Sequence, residues 1–478
     1  MSLPSPWRAD FPAFSAFAAE GLTYLDSAAT AQKPQAVLDA LNGYYLGGAA
    51  NVHRAQHVPG ERATRAFEAA RSRVAHWLHA GNPAEVLFTR GTTEAINLVA
   101  YGLERHFRPG DELLVSALEH HANLLPWQQL ALRRGLVLRV LPLDERGVID
   151  LEQARHIIGE RTRLLAISQL SNVLGTWQPV VELIQLARER GAWTLVDGAQ
   201  GSVHGRHDLP GLGCDFYAFS GHKLYGPDGI GVLWGRPQAL EQLAHWQFGG
   251  EMVRHTGFHE ASFHAAPLGF EAGTPAVSAA IGLGATIDWL ATLDEAEVAA
   301  HEGALHARLL AGLLARDGVS LLGEPQAALA SFCVDGVHVA DLAHLLGEQG
   351  IAVRAGHHCA MPLLQRLEVP GALRVSLGLY NDADDWSASS WLSTAHWSCC
   401  DEPGSPPNRP RRHWTPSVTP PVGNSVRVCC CNGASAWRRS RNTNARKSIA
   451  CTVAKAWSGC SASSATATGA SVPTATRA

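Results

Sequence analysis

Ser220-Gly221-His222-Lys223-Leu224-Tyr225-Gly226-Pro227 follows directly on the run Asp215-Phe216-Tyr217-Ala218-Phe219. The aromatic and apolar run reads as a buried strand, and the Gly and Pro behind it as the loop that ends it. Lys223 then stands at a strand's carboxyl end, where open α/β sheets hold their ligands. A lysine held among apolar neighbours gives up its proton more readily and can form a Schiff base with an aldehyde cofactor. Ser220 and His222 are candidate donors to that cofactor's phosphate. A turn lysine pointing at water is the plainer alternative, so the case rests on what surrounds it.

Six further runs of the same kind flank it: Val86–Thr89, Glu112–Val115, Leu136–Val140, Leu164–Ser168, Trp193–Asp197 and Ile230–Trp234. Helical patterns separate most of them, as in Glu94–Arg105, Asp150–Ile158 and Val181–Arg190. Strand and helix in alternation predict an α/β fold around a mainly parallel sheet. Near residue 276 the pattern changes to Ala/Leu-rich helices, Val277–Leu293 and Glu295–Ala315, and a smaller α/β part runs on to Leu379-Tyr380. The expectation is a large domain over 20–275 and a small domain over 276–386, with residues 1–19 packing on the small one.

The 478 residues are 46% hydrophobic and 17% charged with a net charge of -4, which fits a globular protein and offers no basic patch for nucleic acid. No apolar run approaches the roughly 20 residues that cross a bilayer. Met1–Arg8 lacks the basic and apolar segments of a signal peptide, which points to the cytoplasm.

Five more stretches carry chemistry. Asp197, in Val196-Asp197-Gly198-Ala199-Gln200, ends a strand, where a carboxylate can pair with the pyridine nitrogen of pyridoxal phosphate, or simply cap a turn. Gln200 can hydrogen-bond the ring oxygen. Arg90-Gly91-Thr92-Thr93-Glu94 opens a helix, and its hydroxyls and free N–H groups make either an anion site or an ordinary N-cap. His120, in Glu119-His120-His121-Ala122-Asn123, can stack on a cofactor ring and move protons, or be a structural histidine. Arg354-Ala355-Gly356-His357-His358-Cys359-Ala360-Met361-Pro362 sets a thiol among His and Gly, suited to a nucleophile; an inert buried thiol is the alternative. No fourth ligand at metal spacing accompanies those His and Cys residues, so no metal site is expected. Arg374, in Leu373-Arg374-Val375-Ser376, can clamp an amino-acid carboxylate.

In this order the motifs resemble the class V aminotransferase family, specifically the Suf/Csd-type (group II) cysteine desulfurases. Leu25-Asp26-Ser27-Ala28-Ala29-Thr30, Asn51-Val52-His53-Arg54, Ser171-Asn172-Val173-Leu174-Gly175 and Phe270-Glu271-Ala272-Gly273-Thr274-Pro275 fit the same pattern, and the short stretch from Arg354 to Cys359 looks like group II. The resemblance implies a pyridoxal-phosphate-dependent transferase of fold type I, with a mainly parallel seven-stranded sheet, a smaller C-terminal α/β domain, and a homodimer with its site at the subunit interface. It implies that Lys223 is the Schiff-base lysine, Asp197 the pyridine partner and His120 the stacking residue. Thr92, Thr93, Ser220, His222 and Gln200 would hold the cofactor, with Thr274 reaching in from the other subunit. Asn172, Arg374, Arg354 and His53 would bind substrate. Cys359 would carry sulfur from L-cysteine as a persulfide, for iron–sulfur cluster assembly or other sulfur metabolism, and pass it to a SufE-type acceptor. Selenocysteine lyase activity and a catalytically impaired sulfur-transfer scaffold are the rival readings.

Beyond Trp386 the pattern breaks. Seven of the chain's 10 cysteines crowd this tail, with Pro-rich 403–421 and Thr/Ser/Ala-rich 461–478. Read in the neighbouring codon frame, Asp385–Cys400 becomes an amphipathic leucine-rich helix, and Cys429–Gly459 yields a string resembling the cysteine motif of SufE-type acceptors. A frameshift near Asp385 explains both, so residues 387–478 are expected to be an aberrant or disordered extension rather than a Cys-rich metal module.

Overall fold

The computed structural model describes residues 4–385 except 55, 206, 207 and 384; the expected aberrant tail lies outside them. Seven strands form the main sheet: β1 (Val86–Thr89), β2 (Glu112–Ser116), β3 (Val137–Leu141), β4 (Thr162–Ser168), β5 (Trp193–Asp197), β6 (Phe216–Ser220) and β7 (Gly231–Gly235). Their order is β1-β7-β6-β5-β4-β2-β3. Only β7 runs against its neighbours; every other pairing is parallel. Each strand falls within two residues of its expected bounds.

Alternation along the strands splits the core between two faces. Phe88, Val196, Tyr217 and Phe219 pack with α1 (Val58–Trp77) through Phe67 and Val74. Leu87, Leu195, Phe216 and Ala218 face the other way, onto Ile96 and Val99 of α2 (Thr92–Leu103). Edge strand β3 is the exception, with Val137 42% and Val140 50% exposed.

Helix α3 (Val277–Leu290), grouped by sequence with the small domain, packs instead on the large core, where Val277, Ala280, Leu283 and Ile287 join the cluster of α1. A close approach explains it: a Cβ at Gly284 would come 2.9 Å from the Ala70 Cβ. The break in sequence pattern at 276 therefore precedes the change of packing partner by one helix. Beyond it, β8 (Val319–Leu321), β9 (Leu329–Val334), β10 (Arg354–Gly356) and β11 (Ala372–Ser376) form an antiparallel sheet in the order β8-β9-β11-β10. Its apolar side meets Leu305, Leu309 and Leu313 of α4 (Glu295–Leu314), and Leu342 and Leu346 of α5 (Val339–Glu348).

The N-terminal segment touches both parts. Phe11 sits among Phe14, Tyr225, Trp289 and Tyr380, with ring centroids 4.9–6.5 Å away. Arg8 pairs with Asp385 (2.6 Å) and Asp382 (3.4 Å). Among the described residues no helix is long and apolar enough to cross a membrane. Replacing Phe11, only 1% exposed, by Ala is expected to cost about 3–5 kcal/mol. A lower denaturation midpoint with an unchanged m-value is the measurement that checks this.

Candidate active site

A cavity of about 270 Å³ opens where the parallel strands end. Its wall brings together Thr92, Thr93, His120, Asn172, Asp197, Gln200, Ser220, His222, Lys223, Arg354, Cys359 and Arg374. Parallel pairing accounts for much of this: β1, β4, β5 and β6 point the same way, so the residues just beyond them meet on one side.

Asp197 is the last residue of β5, in register with Ala218 of β6, and Lys223 follows β6 by a single 3₁₀ turn. Burial holds the Lys223 amine down at about 8; Asp197 opposes the shift and Arg374 adds to it. The same burial raises the Asp197 carboxyl, while the Ala199 N–H (2.9 Å to Oδ1) and Lys223 favour its ionised form. A carboxylate so placed can stabilise a protonated heterocycle, and the amine beside it can take an aldehyde.

At the opposite end, Ser220 Oγ accepts from the Thr92 N–H (2.9 Å) and lies 2.8 Å from Thr92 Oγ1. One of the two hydroxyl protons is used between them, and the other is free for an anion beyond the helix N-terminus. Gly91 is required by its φ of +155°, and the close approach of β7 requires glycine at Gly231 as well, where a Cβ would stand 2.4 Å from the Gly91 Cα. His222, driven down to about 4 chiefly by burial, is neutral near pH 7. Thr93 is exposed at the cavity mouth, and Gln200 Nε2 donates to the Ala28 carbonyl (2.8 Å).

His120 is neutral as well, driven down to about 3 by burial and then by Lys223. Its Nδ1 accepts from the Ala122 N–H (3.0 Å), so Nε2 carries the proton. Beneath it lies a residue the sequence reading left without a role. Glu119 is buried and accepts from Asn123 Nδ2 (2.7 Å), Ser168 N (3.0 Å), Ser168 Oγ (2.6 Å) and Ser116 Oγ. It pins the turn that carries His120 to the ends of β2 and β4. Burial pushes its carboxyl up to about 7 against those donors. The sequence signal was an acid directly before His120, three residues beyond the end of β2.

Cys359 is exposed on the cavity rim. It and His358 have φ of +56° and +49°, a left-handed conformation that costs non-glycine residues about 1–3 kcal/mol each. Three hydrogen bonds hold it: Asn172 Nδ2 to the His358 carbonyl (2.8 Å), His121 N–H to the Cys359 carbonyl (2.7 Å), and Met361 N–H to His121 Nε2 (3.2 Å). The loop that bears the thiol is thus fastened to the turn that bears His120. The other described cysteines are Cys214, buried, and Cys333, half-buried.

Arg374 is buried, donating to the Asn172 carbonyl (3.0 Å) and to Asp26 (3.1 Å). Exposed Arg354 grips the same Asp26, whose role the sequence reading also missed. Two expected residues stand elsewhere. His53 bonds Glu68 (2.9 Å), and Thr274 lines a separate cavity with Phe88, Arg90 and Glu271.

The profile of the family described as aminotransferase class-V matches residues 23–388. A probable cysteine desulfurase of Pseudomonas putida is 67% identical over 385 residues, 80% of this chain and 96% of the relative. A cysteine desulfurase of Dickeya dadantii is 47% identical over 382 residues, 79% of this chain and 93% of the relative. Among solved structures, the Escherichia coli cysteine desulfurase CsdA, in its S-sulfonic acid form, superposes with a TM-score of 0.76 at 43% identity, covering 80% of this chain and 96% of that one. The apo cysteine desulfurase of Thermococcus onnurineus gives 0.77 at 35% identity, covering 82% and 97%.

The depressed Lys223 amine makes a direct prediction. In protein stripped of any bound aldehyde, the reactive neutral amine is scarce below pH 8 and dominant above it, so adduct formation should rise with a midpoint near 8. Asp197→Asn removes the charge that favours the ammonium form and should move the midpoint lower. Mass spectrometry of a reductively trapped small-aldehyde adduct, taken across pH, reads both.

Proposed function

Because the chain belongs to the class V aminotransferase family, we propose that it works as a cysteine desulfurase, taking sulfur from L-cysteine onto Cys359 and leaving L-alanine. The observation that carries this is one cavity wall holding Cys359, the Lys223–Asp197 pair and the Arg374 guanidinium together. The fold is that of pyridoxal-phosphate-dependent transferases, a mainly parallel seven-stranded sheet with a smaller α/β part.

The cofactor is pyridoxal 5′-phosphate, which when bound supplies an aldehyde and an electron-withdrawing ring for chemistry at the amino acid's Cα. The residues present suit it: a low-pKa amine, a buried carboxylate with one backbone partner, and a hydroxyl pair with a spare proton at a helix N-terminus. Lys223 would bind the aldehyde, Asp197 the ring nitrogen, and His120 would cover the ring. Thr92, Thr93, Ser220 and His222 would hold the phosphate, and Gln200 the ring oxygen.

Asn172 and Arg374, with Arg354 at the rim, would fix the substrate carboxylate and so direct its sulfur toward Cys359. Lys223, once free, is an amine poised near neutrality and suited to moving the Cα proton. Cys359 Sγ, as thiolate, then attacks the substrate sulfur. An S–S bond forms, the substrate C–S bond breaks, and protonation of the three-carbon product gives alanine. The persulfide passes by thiol exchange to a SufE-type acceptor. The rim position and exposure of Cys359 support that last step.

Thr274 and His53, both outside the cavity of their own chain, suit a homodimer in which a second subunit completes the site. A cytoplasmic address accords with this reading.

Cys359→Ser is expected to lower alanine release from L-cysteine, with reductant present, by about 100-fold or more while the bound cofactor keeps its colour. Full sulfur transfer by that variant would refute the role of Cys359.

A further inference from the structure

Arg374 employs its three nitrogens unequally. Nη1 donates to the Asn172 carbonyl (3.0 Å), Nη2 to Asp26 Oδ1 (3.1 Å), and the buried Nε–H has no partner among the described residues. Buried donors are seldom left unpaired, so this one is a place for an incoming oxygen. Asp26 is shared. Arg354 sets Nε 3.2 and 3.0 Å from its two oxygens and Nη2 2.9 Å from Oδ2.

The backbone prevents Asp26 from drifting off with either arginine. It forms a parallel bridge with Ser376, flanked by Ser376 N–H to the Leu25 carbonyl (2.9 Å) and Ser27 N–H to the Ser376 carbonyl (3.2 Å). Two guanidinium charges are therefore offset by one fixed carboxylate, and the cluster offers a single net positive charge to the cavity.

We propose that Asp26 is a specificity-determining residue. By cancelling one of the two guanidinium charges, it matches this end of the cavity to amino acids with one carboxylate and disfavours dicarboxylic ones. The inference rests on the reading of Arg374 as the partner of the substrate carboxylate. A first carboxylate finds the orphan Nε–H and the uncancelled charge. A second finds no uncancelled guanidinium charge and adds its own charge to that of Asp26 behind the two arginines, which is repulsive where water is scarce. The histidines on the wall, His120, His222 and His358, are held neutral by burial and add no positive charge.

The test is equilibrium binding of L-alanine and L-aspartate to the holoenzyme by calorimetry, in wild type, Asp26→Asn, Arg354→Gln and Arg374→Gln. Asp26→Asn leaves both guanidinium charges uncancelled, and should raise the aspartate-to-alanine affinity ratio about tenfold, the scale of one charge-assisted hydrogen bond. Arg354→Gln leaves a neutral cluster and should lower that ratio. The opposite movements of the two ratios are the signature of charge matching, and a merely structural Asp26 would not produce them. An unchanged ratio in Arg354→Gln, or in folded Asp26→Asn, overturns the inference provided Arg374→Gln loses L-alanine binding. If Arg374→Gln binds L-alanine as wild type does, the carboxylate reading itself fails.

Discussion

A primary amine kept out of water beside a carboxylate is the constraint on which this structure turns. Desolvation alone would strip the proton from Lys223 or drive its side chain outward, and desolvation alone would leave Asp197 protonated. Adjacent parallel strands solve both problems by ending side by side, so each group tempers the shift of the other. That arrangement needs a sheet buried on both faces, which the two clusters around β5 and β6 supply. An edge strand such as β3, with its valines half in water, would not hold an amine near 8.

The second constraint is reach. The thiol belongs to the smaller sheet and the amine to the larger one, yet they share a wall. The connection is made through main-chain groups: the carbonyls of His358 and Cys359 accept from Asn172 and His121, residues of the large sheet's loops. These bonds hold two consecutive non-glycine residues in left-handed conformations. Strain of that kind persists only where surroundings over-determine it, and here it presents Sγ at the rim instead of letting it sink into the apolar interior, as Cys214 does.

Much of this was legible in the sequence because the strands are short, apolar and followed by diagnostic residues. Trp193–Asp197 and Val86–Thr89 were bounded to the residue, and the order of Thr92, His120, Asp197 and Lys223 foretold their convergence. Periodicity, however, reports on a segment's own faces and not on its partner, so α3 was assigned by neighbourhood in sequence and proved to pack on α1. His53 and Thr274 were placed at the site by resemblance alone, with no local pattern to locate them, and in this chain His53 bonds Glu68 while Thr274 lines a separate cavity. Asp26 and Glu119 were quoted inside motifs yet passed over, since an acid's role depends on which donors fold around it, and those donors lie 49 residues or more away in the case of Ser168 and Arg374.

That dependence on donors sorts the three acids of this region into different work. Glu119 is saturated: two serines and an asparagine fill its lone pairs, leaving none for a ligand, so it can only hold a turn in place. Asp197 has one backbone N–H on one oxygen and a nearby amine, so it retains capacity for a cation that enters the cavity. Asp26 is spent on two guanidiniums at once, and because it is fully engaged its effect on a ligand is exerted through the charge it removes from them. Acids of nearly the same chemistry thus become a support, a receptor and a counterweight, according to how many donors each already serves. On the same count the buried Nε–H of Arg374 is unserved among the described residues, and it is at that atom that the wall is most plainly built for something it does not itself contain.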